Sequence, residues 1–281
     1  METLKNIVIL YHADCPDGFG AAFAAWKKFG DDASYIPVRF HDTPPVDVSG
    51  KEVYLIDFSY PAAEVHRLEN ITKRFIALDH HIGAKADTET AKEHVFDNDH
   101  SGATIAWEYF HPGTSTPRLF SYIEDNDLWR FALPHSKEVS IYLGTEPREF
   151  TRWEELLALF EDDNTFNEFI EKGTAYREYG DLLYEKLASG AEEVDFAGYR
   201  VLAVNASRIF RSQLGHILAE RQGPFAIVWY YYDGVWHLSL RGDGSVDLSE
   251  IAKQFGGNGH HDASAIDWPV DKPFPFKRIE K

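Results

Sequence analysis

The chain has 281 residues, with 28 Lys and Arg against 46 Asp and Glu for a net charge of −18. That balance argues against a protein that grips long duplex nucleic acid through a broad basic surface, and 44% hydrophobic with 26% charged residues excludes disordered and collagen-like classes. At about 150 residues per domain two domains are expected, and the acid excess belongs to the first: residues 191–281 carry 10 basic and 12 acidic side chains, residues 1–190 the other 18 and 34.

Ile7–Tyr11, apolar and rich in β-branched residues, predicts a buried strand. Phe19–Phe29, full of small residues, predicts a helix. Tyr35–Phe40 and Val53–Ile56 predict a second and a third strand, and Pro61 starts a helix over about Ala62–Glu69. Arg74–Leu78 predicts a fourth strand, and Val95-Phe96 a fifth. A helix follows Ser101, capped by the Ser101 hydroxyl or the Asp99 carboxylate; Asp97, Asp99 and His100 are read as part of that cap. Strands alternating with helices imply a doubly wound, mostly parallel α/β sheet over residues 1–150. Residues 151–190 are charged, with apolar positions three and four apart, and read as a helical connector. Beyond Gly190 the strands Tyr199–Val204, Phe225–Tyr232 and Val235–Arg241, a hairpin turn at Asp233-Gly234, and helices around Gln213–Arg221 and Leu248–Gln254 predict a smaller α+β domain over 191–281.

Acidic and imidazole side chains gather just past the strands. His12, Asp14 and Asp17 follow the first, Asp57 the third, and Asp79, His80 and His81 the fourth. Parallel strands bring their carboxyl ends to one edge, where open α/β sheets bind ligands. Crowded carboxylates repel one another and take up protons unless cations are present. A mixed carboxylate and imidazole set suits Mn²⁺ and tolerates Fe²⁺, Co²⁺ or Zn²⁺. Two ions sharing one Asp suit hydrolysis at phosphorus. Taken singly, Asp57 is as much a helix cap as a ligand.

These residues carry a family resemblance. His12-Ala13-Asp14-Cys15-Pro16-Asp17-Gly18, Asp57 after a strand, and Asp79-His80-His81 resemble the first three motifs of the DHH phosphoesterases. Residues 121–131 are similar to the fourth. His237–Gly242 and Phe255–Ser264 resemble the Arg-bearing strand and Gly-rich turn of the DHH-associated (GGGGH-type) substrate domain. The resemblance spans nearly the whole chain, with all six motifs in order. It implies a first domain that binds two Mn²⁺ ions, Mg²⁺ or Co²⁺ being able to substitute, and a second that selects the substrate. One ion would be held by His12, Asp14 and Asp57, the other by Asp17, Asp57, His80 and a fourth-motif Asp. Asp125 and Asp127 both fit that motif; the ungapped alignment favours Asp125. Asp79 would orient an imidazole, His81 would contact the scissile phosphate, and Arg241 with Gly256, Gly257, Gly259 and His260 would hold the distal part of the substrate. Two departures stand out: the usual D-x-D of the first motif is Asp14-x-x-Asp17 here, and Asn258 occupies the third position of the Gly-rich turn.

The implied activity is a metal-dependent phosphoesterase that cleaves short oligonucleotides, as an exonuclease, or small nucleotides by two-metal hydroxide attack. The alternatives are an exopolyphosphatase and, from another class, a non-catalytic nucleotide sensor. Cys15 is assigned packing, and His41, His66, His94, His111 and His135 no role. Ile7–Leu10 is too short for a secretory h-region, no stretch approaches the roughly 20 apolar residues of a membrane helix, and a lone cysteine fits a reducing compartment. A cytoplasmic protein without membrane partners is therefore expected.

Overall fold

A computed structural model of the chain describes residues 4–39, 44 and 46–279. It divides into two compact units, residues 1–177 and 178–281.

In the first unit, strands β1 (Ile7–His12), β2 (Ala33–Val38), β3 (Glu52–Ile56), β4 (Arg74–Asp79) and β5 (Glu93–Phe96) form one sheet in the order β2-β1-β3-β4-β5. Every neighbouring pair is parallel. The helices are α1 (Pro16–Phe29), α2 (Ala62–Ile71), α3 (Lys85–Thr88), α4 (Gly102–Phe110), α5 (Arg118–Asp127), α6 (Ser136–Leu143), α7 (Phe150–Glu161) and α8 (Asp163–Ala188), the last running across the unit boundary. Successive strand residues point to opposite faces, and here the two faces feed two cores. Ile9, Tyr54, Ile56, Ile76 and Leu78 join the core that α1, α4, α5 and α7 cover. Val8, Leu10, Val53, Leu55 and Ala77 join a second core under Val65 and Leu68 of α2. The sheet is therefore covered on both faces, as the doubly wound reading expects. The second strand ends at Val38, and of the residues named above Phe40 and His41 lie outside the described ones.

Residues 151–177 are helical, but they do not stand apart from the sheet. Trp153, Leu156, Phe160, Phe166 and Phe169 are buried in the first core.

The second unit builds on β6 (Glu192–Phe196), β7 (Tyr199–Asn205), α9 (Arg211–Arg221), β8 (Phe225–Tyr232), β9 (Val235–Gly242), α10 (Leu248–Gln254), β10 (Asn258–Gly259), β11 (Ala263–Pro269) and β12 (Lys277–Arg278). Its sheet runs β10-β11-β9-β8-β7-β6-β12, with only β7 and β8 parallel. Leu248, Ile251 and Ala252 of α10 pack in one core, and Leu214 and Leu218 of α9 in another. Asp233 and Gly234 turn the β8–β9 hairpin with φ of 48° and 82°, the left-handed pair that a two-residue turn requires. Among the described residues no helix is long and apolar enough to cross a membrane.

Candidate metal centre

Register decides which side chains meet. Tyr11 of β1 pairs with Ile56 of β3, and Ile56 pairs with Leu78 of β4. The next residue on each strand is therefore His12, Asp57 or Asp79, side by side at the carboxyl edge.

The loop after β1 turns sharply, with Asp14 at φ 66°, and delivers Cys15 as the N-cap of α1. Its sulfur accepts the Gly18 N–H at 3.2 Å. Gly18 is needed here because any Cβ would strike the His12 carbonyl. In the first turn of α1, Asp17 is 2% exposed and its carboxylate accepts the Gly102 and Ala103 N–H groups at 2.8 and 2.9 Å. Those amides open α4, so helix-end dipole and hydrogen bonds both hold the anion. Ser101, not Asp99, caps that helix, its hydroxyl accepting from the Thr104 N–H; His100 pairs with Glu124.

Two sets of ligand atoms result, each within 4.8 Å of one another: His12, Asp57 and His81, and Asp17, His80 and Asp127. Asp57 straddles them. Its Oδ2 lies 3.3 Å from His12 Nδ1 and its Oδ1 lies 3.1 Å from His80 Nε2. His80 Nε2 is also 3.6 Å from both Asp17 Oδ2 and Asp127 Oδ2. Asp79 is fully buried. Its Oδ1 accepts the His80 and His81 backbone N–H groups and lies 2.8 Å from His81 Nδ1, while its Oδ2 accepts the Thr88 hydroxyl. The imidazole that Asp79 orients is thus His81.

Two expected residues are not brought to the cluster. Asp14 is mostly exposed and its Oδ2 accepts from Arg39 Nε at 3.0 Å. Of the two fourth-motif candidates, Asp127 is the one near the imidazoles, whereas Asp125 is buried and its carboxylate accepts the Ala132 and Leu133 N–H groups of the turn after α5. Asp127, two residues on, has its Oδ2 3.6 Å from His80 Nε2.

The charges are strained as they stand. Burial, then the neighbouring Asp57 and Asp127 charges, pushes the Asp17 carboxyl well above its ordinary value. Burial and Asp57 raise Asp127 to about 6. Burial alone would raise Asp57 as well, but the His12 and His80 imidazoles close against its two oxygens outweigh it and hold the group low. For His81, burial is outweighed by the hydrogen bond to Asp79 and by the Asp57 charge, which raise it to about 9. Burial and the Asp57 and Asp17 charges push the Cys15 thiol far up. Asp57 Oδ1 and His80 Nε2 are buried without a well-directed hydrogen bond, and such atoms are costly unless something satisfies them. A divalent cation beside each oxygen of Asp57 would do so, and the oxygen and nitrogen donors of His12, Asp17, His80 and Asp127 fit that class of ion, with His81 left at the edge of the first site.

The second unit contributes a cavity of about 880 Å³ lined by Arg208, Arg211, Arg241, Tyr230, Tyr232 and His237 among others. Arg241 donates to the Leu240 carbonyl and the Ser212 hydroxyl, and burial with the adjacent Arg211 guanidinium lowers its pKa. Gly215 of α9 lies against Arg241, where a Cβ would stand 2.7 Å from the Arg241 Cβ. Tyr230 stacks on His237 with ring centroids 5.0 Å apart. Asn258 and Gly259 also line the cavity, whereas Gly256, Gly257 and His260 are outside its described lining. Gly256, at φ 76°, closes α10, and Gly257 approaches the Ala265 carbonyl too closely for any Cβ. Arg208, Arg211, Gly102 and Gly215 were not legible as site residues: no motif marks them, and only their distances do.

No protein-family model matches the chain. The uncharacterized protein R106 of Acanthamoeba polyphaga mimivirus is 31% identical over 301 aligned positions, covering 97% of this chain and 70% of that protein. Three solved structures are similar in fold. The pGpG-specific phosphodiesterase PggH of Vibrio cholerae has a TM-score of 0.54 at 12% identity, with 94% of each chain covered. The DHH domain of a member of the S1p family of ribosomal proteins has 0.53 at 14%, covering 94% of this chain and 83% of that one. RecJ of Thermus thermophilus, in complex with Mn²⁺, has 0.54 at 14%, covering 93% of this chain and 49% of that one.

Proposed function

Because this chain belongs to one family with protein R106 of Acanthamoeba polyphaga mimivirus and has the DHH-domain fold, we propose that it is a metal-dependent phosphoesterase of short oligonucleotides or small nucleotides. The observation that carries the reading is the pair of triads joined by Asp57. The fold neighbours support it: one is a phosphodiesterase for pGpG and another was solved with Mn²⁺. We take two Mn²⁺ ions as the working cofactor and the second unit as a DHH-associated substrate domain.

When bound, divalent cations supply an activated water and neutralise charge on the phosphate oxygens. The chain's own groups do the rest. Asp17 and Asp127, in their deprotonated forms, would hold one cation with His80, and Asp57 would serve both sites. The α4 amides hold Asp17 in place. Asp79 accepts from His81 Nδ1, leaving Nε2 free for the site, and a His81 that stays protonated to about pH 9 can donate to an anionic phosphate oxygen.

The cavity of the second unit bears on the substrate class. Guanidiniums grip phosphate, and Tyr230, Tyr232 and His237 offer ring faces for a base. Polyphosphate has no ring to stack, so nucleotides are favoured over it. Asp57→Ala should lower Mn²⁺-dependent hydrolysis by at least about a hundredfold with the circular dichroism spectrum retained; a fully active variant would refute the shared-ligand role. Comparing kcat/KM for a dinucleotide, 3′,5′-adenosine bisphosphate, cyclic dinucleotides and polyphosphate tests the substrate. Tight nucleotide binding with no product under Mn²⁺ would instead identify a sensor.

A further inference from the structure

The first triad has a near neighbour that its oxygen and nitrogen ligands do not account for. Cys15 Sγ lies 3.6 Å from His12 Nδ1 and 3.6 Å from Asp57 Oδ2, and those two atoms are 3.3 Å apart. Three donors around one tetrahedral cation, with metal–sulfur bonds of about 2.3 Å and metal–nitrogen or metal–oxygen bonds of about 2.1 Å, stand about 3.6 Å apart for sulfur to either partner and about 3.4 Å for nitrogen to oxygen. The observed triangle matches one face of that tetrahedron. Capping of α1 explains the contact of the sulfur with the Gly18 N–H; its thiol hydrogen bonds to His12 Nδ1 and Asp57 Oδ2 gather all three donors around one point. A second observation points to a ligand beside it: Asp57, 1% exposed, also converges with His12 and His81 to within 4.8 Å, and its other oxygen, Oδ1, lacks a well-directed hydrogen bond. The residue assigned to this position from sequence, Asp14, is turned out to Arg39.

We propose that Cys15 is a thiolate ligand of the first cation site, together with His12 and Asp57 and in the place of Asp14. This rests on the metal-dependent reading above. Binding displaces the thiol proton to solvent and forms one metal–sulfur bond. The two seats then differ in chemistry. Thiolate makes the first soft, favouring Zn²⁺, Co²⁺ or Cd²⁺, whereas the Asp17, His80 and Asp127 set offers only oxygen and nitrogen and suits Mn²⁺. Both seats accept Mn²⁺, but the first would exchange it for a softer ion more readily than the second.

Absorption spectroscopy of the metal-free, reduced, full-length protein titrated with Co²⁺ decides this without an activity assay. Cys15 is the chain's only cysteine, so a near-ultraviolet sulfur-to-cobalt charge-transfer band can arise only from it. That band should appear with the first equivalent, and be lost in Cys15→Ser and Cys15→Asp while the visible cobalt bands persist. The affinity for Cd²⁺ relative to Mn²⁺ should fall by about tenfold or more in Cys15→Asp. Visible cobalt bands without the charge-transfer band in the native protein would overturn Cys15 ligation and leave the metal centre standing. No uptake of Co²⁺ at all would overturn both.

Discussion

Gly102 opens α4 where a Cβ would stand 2.5 Å from Asp57 Oδ1 and 2.7 Å from its Cγ. Its N–H also holds Asp17. Gly102→Ala should therefore displace Asp57 and Asp17 together, lowering affinity for Mn²⁺ by about tenfold or more at an overpacking cost of about 1–3 kcal/mol. Calorimetric titration beside a thermal melt separates the two effects, and unchanged affinity would refute the contact. Such a glycine is silent in sequence, since only a distance reveals it. His12, Asp57, Asp79 and His80 were legible because β-branched runs mark parallel strands, and parallel strands align their ends. The place of Asp14 was not readable, because its left-handed backbone sets the side chain against Arg39 while the next residue, Cys15, lies inward. The choice between Asp125 and Asp127 was not readable for a similar reason: two positions on a helix are about 200° apart, so only one of them can face the imidazoles.

At the scale of elements, strand positions and the Asp233-Gly234 hairpin were readable from periodicity and turn chemistry. Where α7 and α8 belong was not. Their charged outer positions suggest a connector, yet their apolar stripe supplies Trp153, Phe160, Phe166 and Phe169 to the first core. A helical stripe shows that a helix is covered, but not by what. A fragment of residues 1–150 should therefore lack a cooperative melt and expose apolar surface to a hydrophobic dye, whereas residues 1–177 should unfold cooperatively. Equal behaviour of the two would show that these helices are dispensable to that core.

For the molecule as a whole, the acid crowding makes stability depend on cations and on pH. Asp127 titrates at about 6 in the fold against an ordinary 3.8. Between those values the native state keeps a proton that the unfolded chain has lost, so this group makes stability fall as pH rises through that window. Asp17 acts in the same sense. His81, raised from 6.5 to about 9, contributes stability present below 6.5 that is lost as pH climbs to about 9. Asp57, held low, contributes above 3.8 and loses its share only in stronger acid. The metal-free protein should then have a lower Tm at pH 7.5 than at pH 5, with the drop reduced in Asp127→Asn. Mn²⁺ binds only the deprotonated ligands, so it should raise the Tm more at pH 7.5 than at pH 5. A metal-induced shift that is the same at both would count against the cluster as the seat of binding.

Asp57 gives one oxygen to each imidazole from a left-handed backbone, at φ 64°. The two seats therefore share a hinge pin. With cations held on both sides, loss of that one carboxylate would unseat both together, so inherited change at this position would have no half-measure and gradual retuning would proceed through the outlying ligands instead.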